Sequence, residues 1–207
     1  MKIAIFGASG FSREVRDIAS ILGYKEIIFI DKTNTGDLED FPIVNEKQVY
    51  TFAEADYKFT IGIGNPKIRK EIRDRYPDLN YVNLIDPTAT FGYRQFVELE
   101  KKVGNIICAG TRMTNNIEMG NFGVYYLNCT VAHDCIIEDF VTISPGVNIS
   151  GNVKLSMGAY IGANTCILQG KSITEKMIIG KNSTVGAGSV VTKNVPDHTI
   201  VKGIPAK

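Results

Sequence analysis

The 207-residue chain contains two histidines, and one of them, His133, is followed directly by an aspartate in the stretch CTVAHDCIIED, residues 129–139. A neutral imidazole is the side chain best suited to take up a proton near pH 7. General-base catalysis of that kind typically contributes about 10²- to 10⁴-fold. No serine triad and no set of residues at metal-ligand spacing surrounds it. The four cysteines, Cys108, Cys129, Cys135 and Cys166, form no C-x-x-C pair, so they read as small core residues of a reduced chain, and no metal is expected. Nothing in the context of His198, in VPDHTIV, favours a role for it.

A second group of residues has the character of an anion cradle. The stretch KIAIFGASGFSREVRDIASILGYKEIIFID, Lys2 to Asp31, reads as strand, glycine turn, helix, strand, with Val15, Ile18, Ala19 and Leu22 on one apolar helix face. Gly7 and Gly10 allow a tight turn that leaves helix N-terminal amides free for an anion. Asp31, ending the second strand, can accept hydrogen bonds from a ribose or base. A third strand, YKFTIGIG, precedes the helical NPKIRKEIRDRY. The full G-x-G-x-x-G fingerprint is absent, which weighs against a nicotinamide-dependent reductase. The length upstream of residue 85 suits half of a doubly wound domain, and so a mononucleotide or nucleotide sugar.

Charge and termini narrow the partners. With 23 basic and 22 acidic residues the formal charge is +1, and no basic stretch interleaved with aromatics gives a nucleic-acid footprint. The start MKIAIFGASG lacks the features of a signal peptide, and no apolar run is long enough to span a membrane, so a cytoplasmic location without membrane insertion is expected.

The elements that must position His133 come from a repeat. Every sixth residue from Ile107 is apolar: Ile107, Met113, Met119, Tyr125, Val131, Ile137, Ile143, Ile149, Leu155, Ile161, Ile167, Ile173, Ile179, Val185 and Val191. Four residues beyond each, small or β-branched residues recur, with Lys171 and Met177 as breaks. Such a period suits a prism of short parallel strands, three hexapeptides to a coil of about 18 residues, with coils about 4.8 Å apart. Gly120, Gly162, Gly180 and Gly186 follow interior positions, where a bend calls for positive φ. Upstream, Ile85, Phe91, Val97 and Val103 keep the period, and the step of four to Ile107 predicts an irregularity near 104–106. One coil beyond His133 lies Gly151, whose amide could reach a developing oxyanion.

The repeat from about 85 to 194, ending in IGKNSTVGAGSVVTKNVPDHTIVKGIPAK, resembles the left-handed β-helix hexapeptide acyltransferases. With GASG, FID, IGIGN, HDCIIEDF and GIPAK, nearly the whole chain is similar to the PglD-type nucleotide-sugar N-acetyltransferases, with sialic acid O-acetyltransferases as close relatives. The resemblance implies an α/β half-Rossmann-like domain over 1–84 and a left-handed parallel β-helix over 85–207. It implies acetyl-CoA as co-substrate, with His133 as base, Asp134 orienting it (Glu138 second in line) and Gly151 at the oxyanion. It also implies nucleotide-sugar contacts from Ser9, Gly10, Asp31, Gly64 and Asn65. Phe11 stands where a histidine is usual, so stacking replaces a polar contact, and Lys32 stands where a second acid is common. UDP leads as the carrier, with GDP and dTDP open.

The resemblance also points to Thr142 and Ala163 on the path of acetyl-CoA. Eighteen-residue counting stacks Pro145, Ala163 and Lys181, but an additional hexapeptide after CILQG leaves Lys181 or Ala187 as the third member. Flat prism sides cannot bury the acyl donor alone, so a homotrimer with sites between subunits is expected. The rival readings are an O-acetyltransferase and, against the His133–Asp134 pair, a non-catalytic nucleotide-sugar-binding module.

Overall fold

The computed structural model describes residues 1–207. Its N-terminal domain runs β1 (Lys2–Phe6), α1 (Gly10–Ile21), β2 (Glu26–Asp31), β3 (Gly36–Leu38), β4 (Phe41–Asn45), α2 (Val49–Glu54), β5 (Lys58–Ile61) and α3 (Pro66–Arg75). The sheet order is β3-β4-β2-β1-β5, all parallel except the β3–β4 hairpin. That hairpin carried no sequence signal, because Gly36–Asn45 bury no side chain fully and show no apolar alternation. Gly7, Asp31 and Gly62 all lie at the carboxyl ends of strands, the edge where open α/β sheets bind ligands.

From Leu84 the chain winds into a left-handed parallel β-helix with three sheet faces. The first face contains the strands at Leu84–Ile85, Ile106–Ile107, Val124–Tyr125, Thr142–Ile143, Tyr160–Ile161, Thr184–Val185 and Ile200–Val201. The second face includes Thr130–Val131 and Asn148–Ile149, and the third Ile136–Ile137 and Val153–Leu155. Ile107 pairs with Tyr125, Tyr125 with Ile143 and Ile143 with Ile161, so these coils are 18 residues long. From Ile107 to Val191 the interior positions of the repeat are buried with one exception, Ile173, which is 61% exposed.

Ile173 marks the first correction. Leu155 pairs with Ile179, Ile161 with Val185 and Ile167 with Val191, so the coil closes over 24 residues and the additional hexapeptide loops out instead of turning later residues by one side. The Gly188 N–H donates to the Ala163 carbonyl and the Asn182 N–H to the Met157 carbonyl. Ala187 therefore continues the Ala163 stack, and Lys181 stands on a different corner.

The bends also differ from expectation. Gly120, Gly162, Gly180 and Gly186 are not left-handed; positive φ falls three residues after most interior positions, at Asn116, Phe122, Asn128, Asp134, Phe140 and their equivalents, with Ile167, Ile173 and Val191 as exceptions. Gly162 is required for another reason, since a Cβ there would meet the Ala187 nitrogen of the next coil at 2.5 Å. The irregularity expected near 104–106 is larger and lies upstream. Helix α4 (Gln95–Glu100) replaces a prism side, Leu99 plugs the end of the core, and Val97 and Val103 are exposed. The Gln95 carboxamide bonds both the N–H and the carbonyl of Ile117, completing the open third side.

The first face is covered by the N-terminal domain, where Leu84, Ile106 and Val124 join Ile3, Ile5, Val15 and Ile18 in one buried cluster. Phe122 and Phe140, stacked at 5.3 Å, pack from their corners into the second cluster around Phe6 and Phe59, with Tyr81 edge-on to Phe122. A strained backbone conformation costs of order 1–3 kcal/mol, and burying each ring returns about 1.5–3 kcal/mol before the stacking is counted. Docking thus stabilises what isolated corners would not favour. Arg69 stitches this junction. It is 1% exposed, and its guanidinium donates to the carbonyls of Ile63, Gly64, Phe122, Phe140 and Val141 at 2.8–3.0 Å. Burial without a carboxylate pulls its pKa down to about 9, which leaves it charged at neutral pH.

Candidate active site

His133 stands on the corner between the second and third faces. The interior Val131 fixes the approach, and Asp134 turns the chain with φ 59°. The imidazole is 55% exposed, and its Nδ1 lies 2.6 Å from Asp134 Oδ2. The other oxygen, Oδ1, accepts from Asn116 Nδ2 at 2.5 Å. These bonds, first from Asn116 and then from His133, hold the Asp134 carboxyl below the usual carboxylate range. An ionised Asp134 accepts the Nδ1–H and leaves Nε2 with its lone pair outward. The ring lies on Gly151: a Cβ there would sit 2.6 Å from Cε1 and 2.7 Å from Nε2. The Gly151 N–H donates to no acceptor within the chain. Glu138 does not serve as the orienting carboxylate, because it is bound to Lys154 Nζ at 2.7 Å and to the Met157 N–H at 2.8 Å.

The residues expected to hold a nucleotide sugar gather at the sheet's carboxyl edge, though several are already engaged. Ser12 Oγ accepts from the Ser9 N–H and donates to the Gly62 carbonyl, tying the glycine turn to the end of β5. Gly10 opens α1 with free space over it; a Cβ would find nothing nearer than Arg13 Nη2 at 4.0 Å. Phe11 packs on Tyr126 with ring centroids 4.4 Å apart, and Gly64 fits only because it has no Cβ to strike the Tyr126 hydroxyl. One Asp31 oxygen accepts from the Thr33 and Asn34 N–H groups and Thr33 Oγ1, shaping the following turn. Burial alone would raise its pKa, but the bonds from Asn34 and Thr33 together outweigh it and the pKa is lowered. Lys32 is exposed. The Asn65 side chain caps α3 through the Lys67 and Ile68 N–H groups, so its oxygen is committed.

Of the acetyl-CoA candidates, Ala163 and Ala187 form an accessible stack on the corner between the first and second faces. Thr142 differs from expectation: it is fully buried and donates from Oγ1 to the Gly64 carbonyl at 2.8 Å, so its side chain belongs to the domain junction. Lys181 lies elsewhere, as the coil register dictates.

Phe11 and Tyr126 sit at the same corner as Ala163 and Ala187, whereas His133 occupies the next corner across the second face. One chain therefore presents its own glycine turn and its own histidine to different directions. A groove of about 870 Å³ beside the histidine corner is lined by Arg94, Glu98, Asn116, Glu118 and Glu138. Another of about 880 Å³ at the domain junction is lined by Asn65, Lys67, Lys70, Tyr160 and His198. Asn116 was missed in the sequence, although it precedes Asp134 by one 18-residue coil and the same count that reaches Gly151 could have found it. Arg69 and Tyr126 carried no such signal, since their partners are defined only by how the domains dock.

Residues 2–76 match the PglD N-terminal domain family. The chain is 30% identical over 215 residues to the GDP-perosamine N-acetyltransferase of Escherichia coli O157:H7, covering 98% of this chain and 94% of that protein. Its structure is similar to WeeI from Acinetobacter baumannii AYE, with TM-score 0.87, 31% identity and coverage of 100% and 99%. It is similar as well to the acetyltransferase domain of PglB from Neisseria gonorrhoeae FA1090 in complex with acetyl coenzyme A, with TM-score 0.88, 28% identity and coverage of 100% and 98%. On this full-length likeness, the chain belongs to the PglD-type sugar acetyltransferases of the hexapeptide acyltransferase family.

Proposed function

We propose that this acyltransferase carries an acetyl group from acetyl-CoA to the amino group of a nucleotide-linked amino-deoxy sugar in the cytoplasm, with His133 as general base. The observation that carries the reading is the His133 ring, held at Nδ1 by an ionised Asp134, laid on Gly151 and open at Nε2. The amine nitrogen attacks the thioester carbonyl, and its proton passes to Nε2. The oxyanion accepts the unengaged Gly151 N–H. Collapse then breaks the C–S bond, and the imidazolium returns the proton to the departing CoA thiolate. No covalent enzyme intermediate is needed.

Ala163 and Ala187 offer a smooth, accessible corner for an extended pantetheine arm. The nucleotide end is read by Ser9, Gly10, Phe11, the free oxygen of Asp31, Lys32 and Gly64. Because this cradle and His133 face different directions, the working unit is a homotrimer packed through the second faces, which sets the nucleotide corner of one subunit against the histidine corner of the next. The name of the E. coli relative favours GDP over UDP as carrier.

The test is CoA release by the purified protein against GDP-, UDP- and dTDP-linked amino sugars, their hydroxyl counterparts and free sialic acid. Turnover confined to nucleotide-linked amines is expected. Turnover on sialic acid or hydroxyl sugars alone would convert the reading to O-acetylation.

A further inference from the structure

The looped-out hexapeptide rises from the corner that carries His133. At its start the Gly170 N–H donates to the Gly151 carbonyl at 3.0 Å, and at its end the Met177 N–H donates to the Asn152 carbonyl at 3.0 Å. Between these anchors the loop is closed on itself by bonds among Lys171, Ser172 and Glu175. Lys176, the last loop residue, is half-buried and reaches down past Asn152 to place Nζ 2.5 Å from the Asp134 carbonyl oxygen.

That carbonyl has a particular need. Asp134 turns its corner with φ 59°, and no backbone N–H reaches its carbonyl. The same holds at Phe122 and Phe140, where a cation, Arg69, supplies the donors. Lys176 does for the catalytic corner what Arg69 does for the junction. Asn152, directly above Asp134 in the stack, donates nothing to this carbonyl, and its own buried carboxamide oxygen, which can only accept, has no partner. The Asp134 side chain is meanwhile fixed from below by Asn116 and aims Oδ2 at His133.

We propose that Lys176 is a positioning residue of the reaction: by holding the Asp134 peptide in its corner conformation, it keeps the carboxylate aimed at His133 Nδ1 and the ring on Gly151. The inference rests on the reading of His133 as base. An imidazole free to swing off Gly151 loses alignment with both the amine and the oxyanion donor, and misplacement near 1 Å can cost on the order of 10²-fold.

The test compares Lys176→Met, Lys176→Arg, Asp134→Asn, the double variant Asp134→Asn/Lys176→Met and His133→Ala in steady-state kinetics with acetyl-CoA and an accepted amino sugar. Lys176→Met is expected to lower kcat about 10-fold while both KM values stay within about twofold, and Lys176→Arg to recover most of the rate. Because Lys176 acts through Asp134, the double variant should be no slower than Asp134→Asn alone. Wild-type kcat for Lys176→Met, or full additivity in the double variant, would overturn the proposal while a slow His133→Ala still upheld the base. A His133→Ala variant at wild-type rate would overturn both.

Discussion

At the scale of single residues, the site depends on what is missing at position 151 as much as on what is present at 133. Gly151 lets the imidazole lie flat against the next coil, and its N–H remains available because no acceptor in the chain engages it. Gly151→Ala would put a methyl within 2.6–2.7 Å of the ring, so the half-exposed ring must move off Asp134. We expect kcat to fall by roughly 10- to 100-fold with acetyl-CoA binding retained, checked by single-turnover kinetics beside direct titration of the ligand. A variant with unchanged kcat would mean that ring position is not limiting. Counting 18 from His133 lands on Gly151, so that neighbour was legible in the sequence. Asn116, which the same count back from Asp134 reaches, was not singled out, because a lone asparagine on a corner carries no chemistry of its own. The sequence did not make Asp31 or Asn65 fully legible: both types accept hydrogen bonds from ligands and from their own following backbone equally well, and here local turns and caps engage one oxygen of each.

At the scale of elements, the hydrophobic period identified the prism but not the fate of every hexapeptide. Six inserted residues equal one prism side, so Ile173 continues the apolar series whether the segment adds a side or loops out. Only the pairing of Leu155 with Ile179 decides, and with it the choice of Ala187 over Lys181. The junction between elements was equally hidden, because Arg69 on a charged helix looks like a solvated residue until the corners of Phe122 and Phe140 close over it. Arg69→Met removes a cation from five carbonyls, three of them buried. Hydrogen bonds to charged groups are worth about 1.5–3 kcal/mol each and part of the loss is recovered by the methionine's apolar fit, so a net cost of about 3–5 kcal/mol is expected. Thermal unfolding should fall by roughly 6–20 °C for a chain of this size. A shift under 2 °C would show that the five bonds contribute nothing net.

At the scale of the molecule, the two halves of the proposed chemistry face different ways. The proposed nucleotide cradle shares a corner with Tyr126, Ala163 and Ala187, while His133 stands one face further round, so the proposed reaction calls for a neighbouring chain to complete the site. The most direct measurement mixes two inactive variants. A Cβ at Gly10 would have open space around it, so Gly10→Trp is expected to fold and to fill the ligand side of the glycine turn, and His133→Ala removes the proposed base. Each homotrimer should turn over at least 10²-fold slower than wild type at subsaturating amino sugar. In trimers assembled from equal amounts of both chains, a site is intact whenever a His133-bearing subunit meets a neighbour with an open cradle. Random assembly makes that about one site in four. Recovery to about a quarter of wild-type activity is the predicted result. Mixed trimers that stay as inactive as their parents would contradict a site shared between subunits.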